Sequence, residues 1–202
     1  MPEVTIVDYG VGNLHSLGKA LERAGARVRV ATRAEEFRHA AALVLPGVGA
    51  FGRVMEAVRP YREELIERVN AGVPALAVCI GMQVLYGWGE EGGCAGLGLL
   101  EGTVRRLAHP RLPHMAWSPI ERSAAAADPV LEGIPDGTYF YFVHSFATPA
   151  AEATSGVLAT ALYGAPFVAA VRRGNVVGTQ FHPEKSSDAG ARWIGNWVKG
   201  LA

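Results

Sequence analysis

The chain has 202 residues, half of them hydrophobic, and its 19 Lys and Arg are balanced by 19 Asp and Glu, so the formal net charge is zero. A chain of this length buries roughly 70% of its unfolded surface without staples, and it is read as one domain spanning residues 1–202. Zero net charge without a basic block excludes an electrostatic nucleic-acid footprint and a membrane-surface patch, and no apolar run approaches the ~20 residues of a spanning helix.

In chain order, the opening MPEVTIVDYG lacks the basic segment and following apolar segment of a secretory leader, so a cytoplasmic location is expected. Val4–Val7 reads as a strand and precedes a helical pattern over Leu14–Ala24. Val28–Ala31 and Leu43–Leu45 are strand-like, Val54–Val69 is helical, and Ala75–Val78 leads to a helix predicted over Met82–Tyr86. Alternation of this kind predicts βαβ units around a buried parallel sheet, an α/β fold. From Gly98 to Val177 strand-like pieces dominate, among them Thr138–Phe146 and Phe167–Arg172, with turn signals at Pro135-Asp136-Gly137 and Arg173-Gly174-Asn175. These predict antiparallel strands that extend or cap the sheet. Ser123–Ala127 reads as a loop, and a last helix over Ala189–Leu201 sets Trp193, Ile194 and Trp197 on one face.

Chemistry concentrates in PALAVCIGMQVL, Pro74 to Leu85. Cys79 and Cys94 are the only cysteines, and both are expected to be free thiols in a reducing compartment. Cys79 stands where a buried strand gives way to a helix, the end at which open α/β sheets bind ligands. Gly81 permits close backbone approach, and the N–H groups of the helix would favour thiolate over thiol. Cys79 is therefore either a nucleophile on a sharp turn or an ordinary core cysteine. Among six histidines, His182 ends the run Val176–Phe181 and is followed by Pro183-Glu184, a proline that stops the ladder and turns the chain. His182 and Glu184 then form either a base with its orienting carboxylate or a plain surface turn. DYGVGN near the start fails as a dinucleotide fingerprint, because His15 stands where the last glycine belongs.

AVCIGMQVL and QFHPEKS, in this order, resemble the Cys-X-Gly-X-Gln elbow and distant His-Pro-Glu of the class I glutamine amidotransferases, and LPGVGAF, Leu45 to Phe51, resembles that family's oxyanion strand. DYGVGNLHS, LPHMAWSPI and YFVHSF resemble further segments of one branch, the glutaminase subunits of imidazole glycerol phosphate synthases, with Ala116 and Ser118 replacing the usual glycine and asparagine. The resemblance implies a three-layer fold around a central, mostly parallel mixed sheet. It also implies a Cys79, His182 and Glu184 triad that hydrolyses L-glutamine through a thioester. Oxyanion donors would come from Ile80 and the Val48–Gly49 region, and glutamine contacts from Gln83, Glu91, His144, Ser145 and Phe146, with Gly49 also in reach. Asn13, Trp117, Tyr141 and Lys185 would face a (β/α)8-barrel cyclase partner in a heterodimer, with Trp117 as a loop aromatic beside the ammonia exit. No metal, cofactor, nucleic acid or membrane is implied. Two other readings remain open here: a different amidotransferase branch feeding another acceptor, and a non-catalytic module with Cys79 as a redox sensor.

Overall fold

The computed structural model of the chain describes residues 1–10, 13–124, 127–153 and 155–201. Val11 and Gly12 of DYGVGNLHS, and Ala125 and Ala126 of the expected loop, lie outside the described residues. The first half alternates as its pattern predicts: β1 (Glu3–Val7), α1 (Leu14–Arg23), β2 (Arg27–Ala31), the one-turn α2 (Ala34–Phe37), β3 (Leu43–Leu45), α3 (Phe51–Val58), α4 (Arg62–Asn70) and β4 (Ala75–Val78). Where one helix was expected over Val54–Val69 there are two, separated by a 3-10 turn at Arg59–Tyr61. Pro60 lies in that turn and has no N–H to continue the helical ladder.

After β4 come α5 (Ile80–Gln83), β5 (Tyr86–Gly89), β6 (Cys94–Ala95), β7 (Leu100–Arg106), β8 (His114–Pro119) and β9 (Glu121–Arg122). They are followed by β10 (Tyr139–His144), β11 (Phe146–Ala147), β12 (Val157–Tyr163), β13 (Ala165–Arg173), β14 (Val176–Thr179) and α6 (Ser187–Lys199). The helix expected over Met82–Tyr86 is a single turn displaced toward Cys79. The Val84, Leu85 and Tyr86 carbonyls accept instead from the N–H groups of Leu97, Leu99, Leu100 and Gly98, so tertiary bonds replace helical continuation. The run Thr138–Phe146 is likewise interrupted at Ser145, between β10 and β11.

The main sheet has the order β2-β1-β3-β4-β14-β13-β12-β9. Neighbours from β2 to β14 pair in parallel, and β14, β13, β12 and β9 pair antiparallel. The late strands thus extend the sheet only in part. β11, β7, β5 and β6 form a separate four-stranded sheet, and β10 pairs with β8 alone. Strand alternation divides the core between the two faces of the main sheet. Val4, Ile6, Leu76 and Val78 pack with Leu17 and Leu21 of α1 and with Trp193, Ile194 and Trp197 of α6. Leu43, Leu45, Ala75 and Ala77 pack with Phe51, Val54, Leu65 and Val69 of α3 and α4. No helix among the described residues is long and apolar enough to cross a membrane.

One consequence of this order positions the site. β3, β4 and β14 are adjacent and parallel, with Leu45 opposite Ala77 and Thr179 opposite Val78. Their carboxyl ends lie side by side, about 4.8 Å between neighbours. The chain leaves β3 through Pro46–Gly49, β4 through Cys79, and β14 through Gln180–His182. Segments remote in sequence therefore meet at one sheet edge.

Candidate active site

Cys79 is a strained residue. Its φ of 49° and ψ of −108° lie where side chains other than glycine rarely sit, a cost of about 1–3 kcal/mol that the surroundings must absorb. Its N–H donates to the Thr179 carbonyl at 2.6 Å, and its carbonyl accepts from the Gln83 N–H at 3.0 Å as α5 begins. The loop after β3 presses against this elbow. A Cβ on Gly47 would stand 2.0 Å from the Val78 carbonyl oxygen, and one on Gly81 would stand 2.3 Å from that of Leu45. Both glycines are required by space, not by φ. The Cys79 side chain is buried, with Gln180 Nε2 donating to Sγ at 3.4 Å and the Val143 carbonyl oxygen 3.9 Å away. Because α5 is one turn long, the expected helix dipole shrinks to the local N–H groups of its first residues, of which Ile80 is the foremost.

His182 and Glu184 occupy a turn that is tied down from three sides. The His182 N–H donates to the Tyr141 carbonyl at 2.9 Å. The Ser186 hydroxyl donates to the His182 carbonyl at 2.7 Å and accepts from the Tyr141 N–H at 3.0 Å. A Cβ on Gly190 would come within 1.9 Å of the Pro183 carbonyl oxygen, so glycine there lets α6 press on the turn. Within it, Nδ1 of His182 lies 2.9 Å from Oε1 of Glu184, and the two side chains are only 1% and 4% exposed. That contact leaves Nε2 on the sulfur's side, buried and without a well-formed hydrogen bond to any described residue. Catalytic hydrogen bonds often tighten only when substrate binds. Burial alone lowers the His182 pKa, but interaction with the Cys79 sulfur and then with the Glu184 carboxylate outweighs it, pushing the value up to about 9.

In front of Cys79 lies a cavity of about 300 Å³. Of the residues expected around glutamine, Val48, Gly49, Ile80, Gln83, Glu91, His144, Ser145 and Phe146 all line it, joined by Gly47, Pro113 and Val143. Glu91 reaches across to the start of α3, where Oε2 accepts from the Phe51 N–H at 2.9 Å. Gln83 is 3% exposed, and its amide nitrogen is spent on the protein: it donates to the Phe146 carbonyl at 2.7 Å and to Gln180 Oε1 at 3.0 Å. Larger clefts of about 520 Å³ beside Asp128 and about 600 Å³ beside Asp8 are lined by neither thiol nor imidazole.

Behind the cavity a buried chain of contacts runs from the Ser118 hydroxyl to His114 Nε2 at 2.8 Å, from His114 Nδ1 to His144 Nε2 at 3.1 Å, and from His144 Nδ1 to the Phe146 carbonyl at 2.9 Å. A carbonyl can only accept, so His144 Nδ1 carries hydrogen, its Nε2 accepts from His114, and Ser118 donates to the far end. Both rings must stay neutral to keep this order. Burial accordingly lowers His114 to about 4, helped by the charge of His109. Burial also lowers His144 to about 3, with the Phe146 bond opposing and the charges of His114 and His182 assisting.

A thiol on a strained turn, an imidazole held by a carboxylate and an amino-acid-sized cavity form one constellation, and comparison with known proteins gives it a family. The family model for glutamine amidotransferase class-I matches residues 5–200. The chain belongs to the class I glutamine amidotransferases. It is 46% identical over 203 residues, 98% of each chain, to a Mycobacterium bovis protein named imidazole glycerol phosphate synthase subunit HisH. It is 43% identical over 208 residues to a Deinococcus radiodurans protein of the same name, covering 100% of this chain and 95% of that one. Among solved structures, a glutamine amidotransferase matches with a TM-score of 0.74 at 24% identity, covering 98% of this chain and 97% of that one. PurLQS from Thermotoga maritima matches with a TM-score of 0.78 at 18% identity, covering 98% of each chain. These two likenesses speak for the amidotransferase fold.

Within this amidotransferase, the positions expected at a partner surface gather in part. Trp117, expected on a loop, lies in mid-strand in β8 opposite Tyr141 of β10. Their rings meet edge to face at 6.1 Å, and Lys185 Nζ lies 6.0 Å from the centre of the Tyr141 ring. Met115, Trp117 and Tyr139 are half or more exposed on this face. Asn13 is exposed too, but its side chain caps α1 by accepting from the Ser16 N–H at 3.2 Å. Four positions lie within the motifs but were given no role of their own from the sequence: Gly47, Pro113, Gln180 and Ser186. Gln180 and Ser186 flank the His-Pro-Glu run and could have been found there. Gly47 and Pro113 stand in LPGVGAF and LPHMAWSPI, but those motifs do not show what packs against them.

Proposed function

We propose that the chain is the glutaminase subunit of imidazole glycerol phosphate synthase, hydrolysing L-glutamine and passing the ammonia to a barrel cyclase in cytoplasmic histidine biosynthesis. The observation that carries the catalytic part is the interaction of Cys79, which lines the 300 Å³ cavity, with the buried His182–Glu184 pair. The identity of 43% and 46% over whole chains with proteins named as that subunit supports the branch.

In this mechanism the Cys79 sulfur attacks the side-chain amide carbon of glutamine, forming the C–S bond. The developing oxyanion is received by the Ile80 N–H and by an N–H of the Val48–Gly49 segment, each worth about 2.7–4 kcal/mol in such a hole. The raised pKa of His182 means that it holds a proton near neutrality, positioned to protonate the amine as the C–N bond breaks and ammonia leaves. His182 then takes a proton from water, which attacks the thioester and releases glutamate and the restored thiol. Glu184 fixes the Nδ1–H and stabilises the imidazolium throughout. Glu91 is assigned to the substrate amino group and the backbone of Ser145 and Phe146 to its polar atoms, while Gln83 and His144 shape the wall.

Ammonia released into water would be protonated and lost, so the product needs a recipient. The exposed face of β8 and β10, with Met115, Trp117, Tyr139 and Tyr141 beside Lys185, suits such a partner because it joins aromatic anchors to a charge at the turn that carries His182. The test is synthesis with the barrel cyclase using wild type and Cys79→Ala. Glutamine-dependent turnover should vanish in the variant while ammonium-dependent turnover persists. Glutamine hydrolysis by Cys79→Ala would overturn the reading.

A further inference from the structure

The Cys79 sulfur has a polar neighbour that the mechanism above does not use. Gln180, at the end of β14, is completely buried, and its amide nitrogen lies 3.4 Å from Sγ. Which end of this amide faces the sulfur is fixed from a distance. The Phe146 carbonyl oxygen can only accept, and it receives His144 Nδ1 at 2.9 Å and Gln83 at 2.7 Å. The Gln83 atom that faces it must therefore be Nε2, which also faces the side chain of Gln180 at 3.0 Å. The Gln180 atom that receives this donor must be Oε1, which leaves its NH2 group toward the sulfur. Turning either amide over would set two oxygens or two NH2 groups against each other in a buried site.

We propose that Gln180 is a further catalytic residue, whose amide N–H, held in orientation by Gln83 and the Phe146 carbonyl, donates to Cys79 and supports its sulfur as a thiolate. The inference rests on Cys79 being the nucleophile. A donor aimed at sulfur favours the charged form, whereas the Val143 carbonyl at 3.9 Å can only receive the thiol proton and so favours the neutral one. Gln180 makes the shorter contact. The titratable groups around the sulfur are His182 with Glu184 on the turn after β14, His144 on β10, Glu91 across the cavity and Tyr9 after β1. Of the carboxylates, Glu184 is engaged with His182 and Glu91 with the Phe51 N–H.

The test is the pH profile of iodoacetamide alkylation of Cys79 in the full chain without substrate, read by peptide mass spectrometry with Cys94 as internal reference. Gln180→Glu keeps an oxygen for Gln83 but replaces the donor with an oxygen facing the sulfur. Gln180→Met removes the donor at similar volume. Each folded variant should alkylate Cys79 about tenfold to a hundredfold more slowly at neutral pH, with the profile moved to higher pH, while Cys94 is unchanged. Near-UV circular dichroism confirms the fold, and Gln180→Met carries the test if a buried carboxyl prevents Gln180→Glu from folding. A Cys79 profile superimposable on wild type in Gln180→Met would overturn the inference. This readout is independent of glutamine hydrolysis, so the failure of Gln180 and the failure of the glutaminase reading are told apart by the activity of Cys79→Ala.

Discussion

Adding one methyl group at Gly81 tests whether the loop after β3 and the elbow at Cys79 act as one catalytic unit. The new Cβ would lie 2.3 Å from the Leu45 carbonyl oxygen, 2.8 Å from its carbon and 3.0 Å from the Pro46 carbonyl oxygen, all backbone atoms that cannot rotate aside. An ordinary carbon–oxygen contact is about 3.3 Å, so the loop must retreat by about 1 Å. Leu45 is paired with Ala77, which resists movement of β3, so the displacement falls on Pro46–Gly49 and on the turn of α5. A misplacement of about 1 Å costs roughly a hundredfold, and loss of one oxyanion donor costs about 10²–10³ in kcat. Gly81→Ala should therefore lower the kcat for glutamine hydrolysis by about 10²–10³, destabilise by about 1–3 kcal/mol, and leave Cys79 open to alkylation. Gly195→Ala in α6, where the added carbon meets nothing within 4 Å beyond its chain neighbours and its own helix backbone, is the matched control and should retain full kcat. The assay is steady-state glutaminase kinetics with urea unfolding of each variant. Wild-type kcat in folded Gly81→Ala would refute the argument that this contact holds the oxyanion loop against the nucleophile.

His182→Ala should reduce glutamine hydrolysis more than Glu184→Gln, since the first removes the proton carrier and the second only its charge support. The alkaline limb of the wild-type kcat profile should fall near pH 9, and Glu184→Gln should move it to lower pH, because the carboxylate helps hold the imidazolium; an unmoved limb would detach His182 from that limb. Stability in acid follows the buried neutral pair. The folded value of His144 is depressed to about 3, so its contribution is fully present above the unfolded value of about 6.5 and is lost as pH falls from there toward 3, at up to about 1.4 kcal/mol per pH unit. His144→Gln should flatten urea-derived stability against pH below 6.5 by about that slope, and an unchanged slope would contradict burial in the neutral form.

The parts of the fold legible in the sequence are those where local pattern and tertiary demand agree. Leu43–Leu45 and Ala75–Val78 are short, wholly apolar and bounded by turns, and they form strands buried on both sides. The pattern failed where a tertiary bond overrode it. Met82–Tyr86 has the apolar spacing of a helix, but the segment Leu97–Leu100 brings N–H groups to the Val84, Leu85 and Tyr86 carbonyls, and a helix can give those carbonyls no better partners. Pro60 was the opposite case, a local signal in plain sight inside a pattern otherwise helical on both sides. Trp117 shows a third kind of failure. The family resemblance implied a loop there, yet antiparallel pairing with β10 makes it a strand residue, its partner Tyr141 being distant in the chain.

The site was legible as residue types and not as geometry. Cys79, Gly81, Gln83, His182 and Glu184 stand in two short motifs, but neither motif says that the two meet. Their meeting depends on sheet order, because β14 returns as the parallel neighbour of β4 only after β5 to β13 have been built. In that register the Cys79 N–H is bound to the Thr179 carbonyl, so the residue after Thr179 lies beside the sulfur and the residue three beyond it heads the histidine turn. The same register gives Gln180 its access to Sγ and brings its oxygen within reach of Gln83, one turn past the nucleophile. Gln180 stands in the run QFHPEKS, but that run does not say that its side chain reaches the sulfur. Its orientation is decided by a carbonyl on β11, through an amide on α5, and only the folded sheet brings those three elements together.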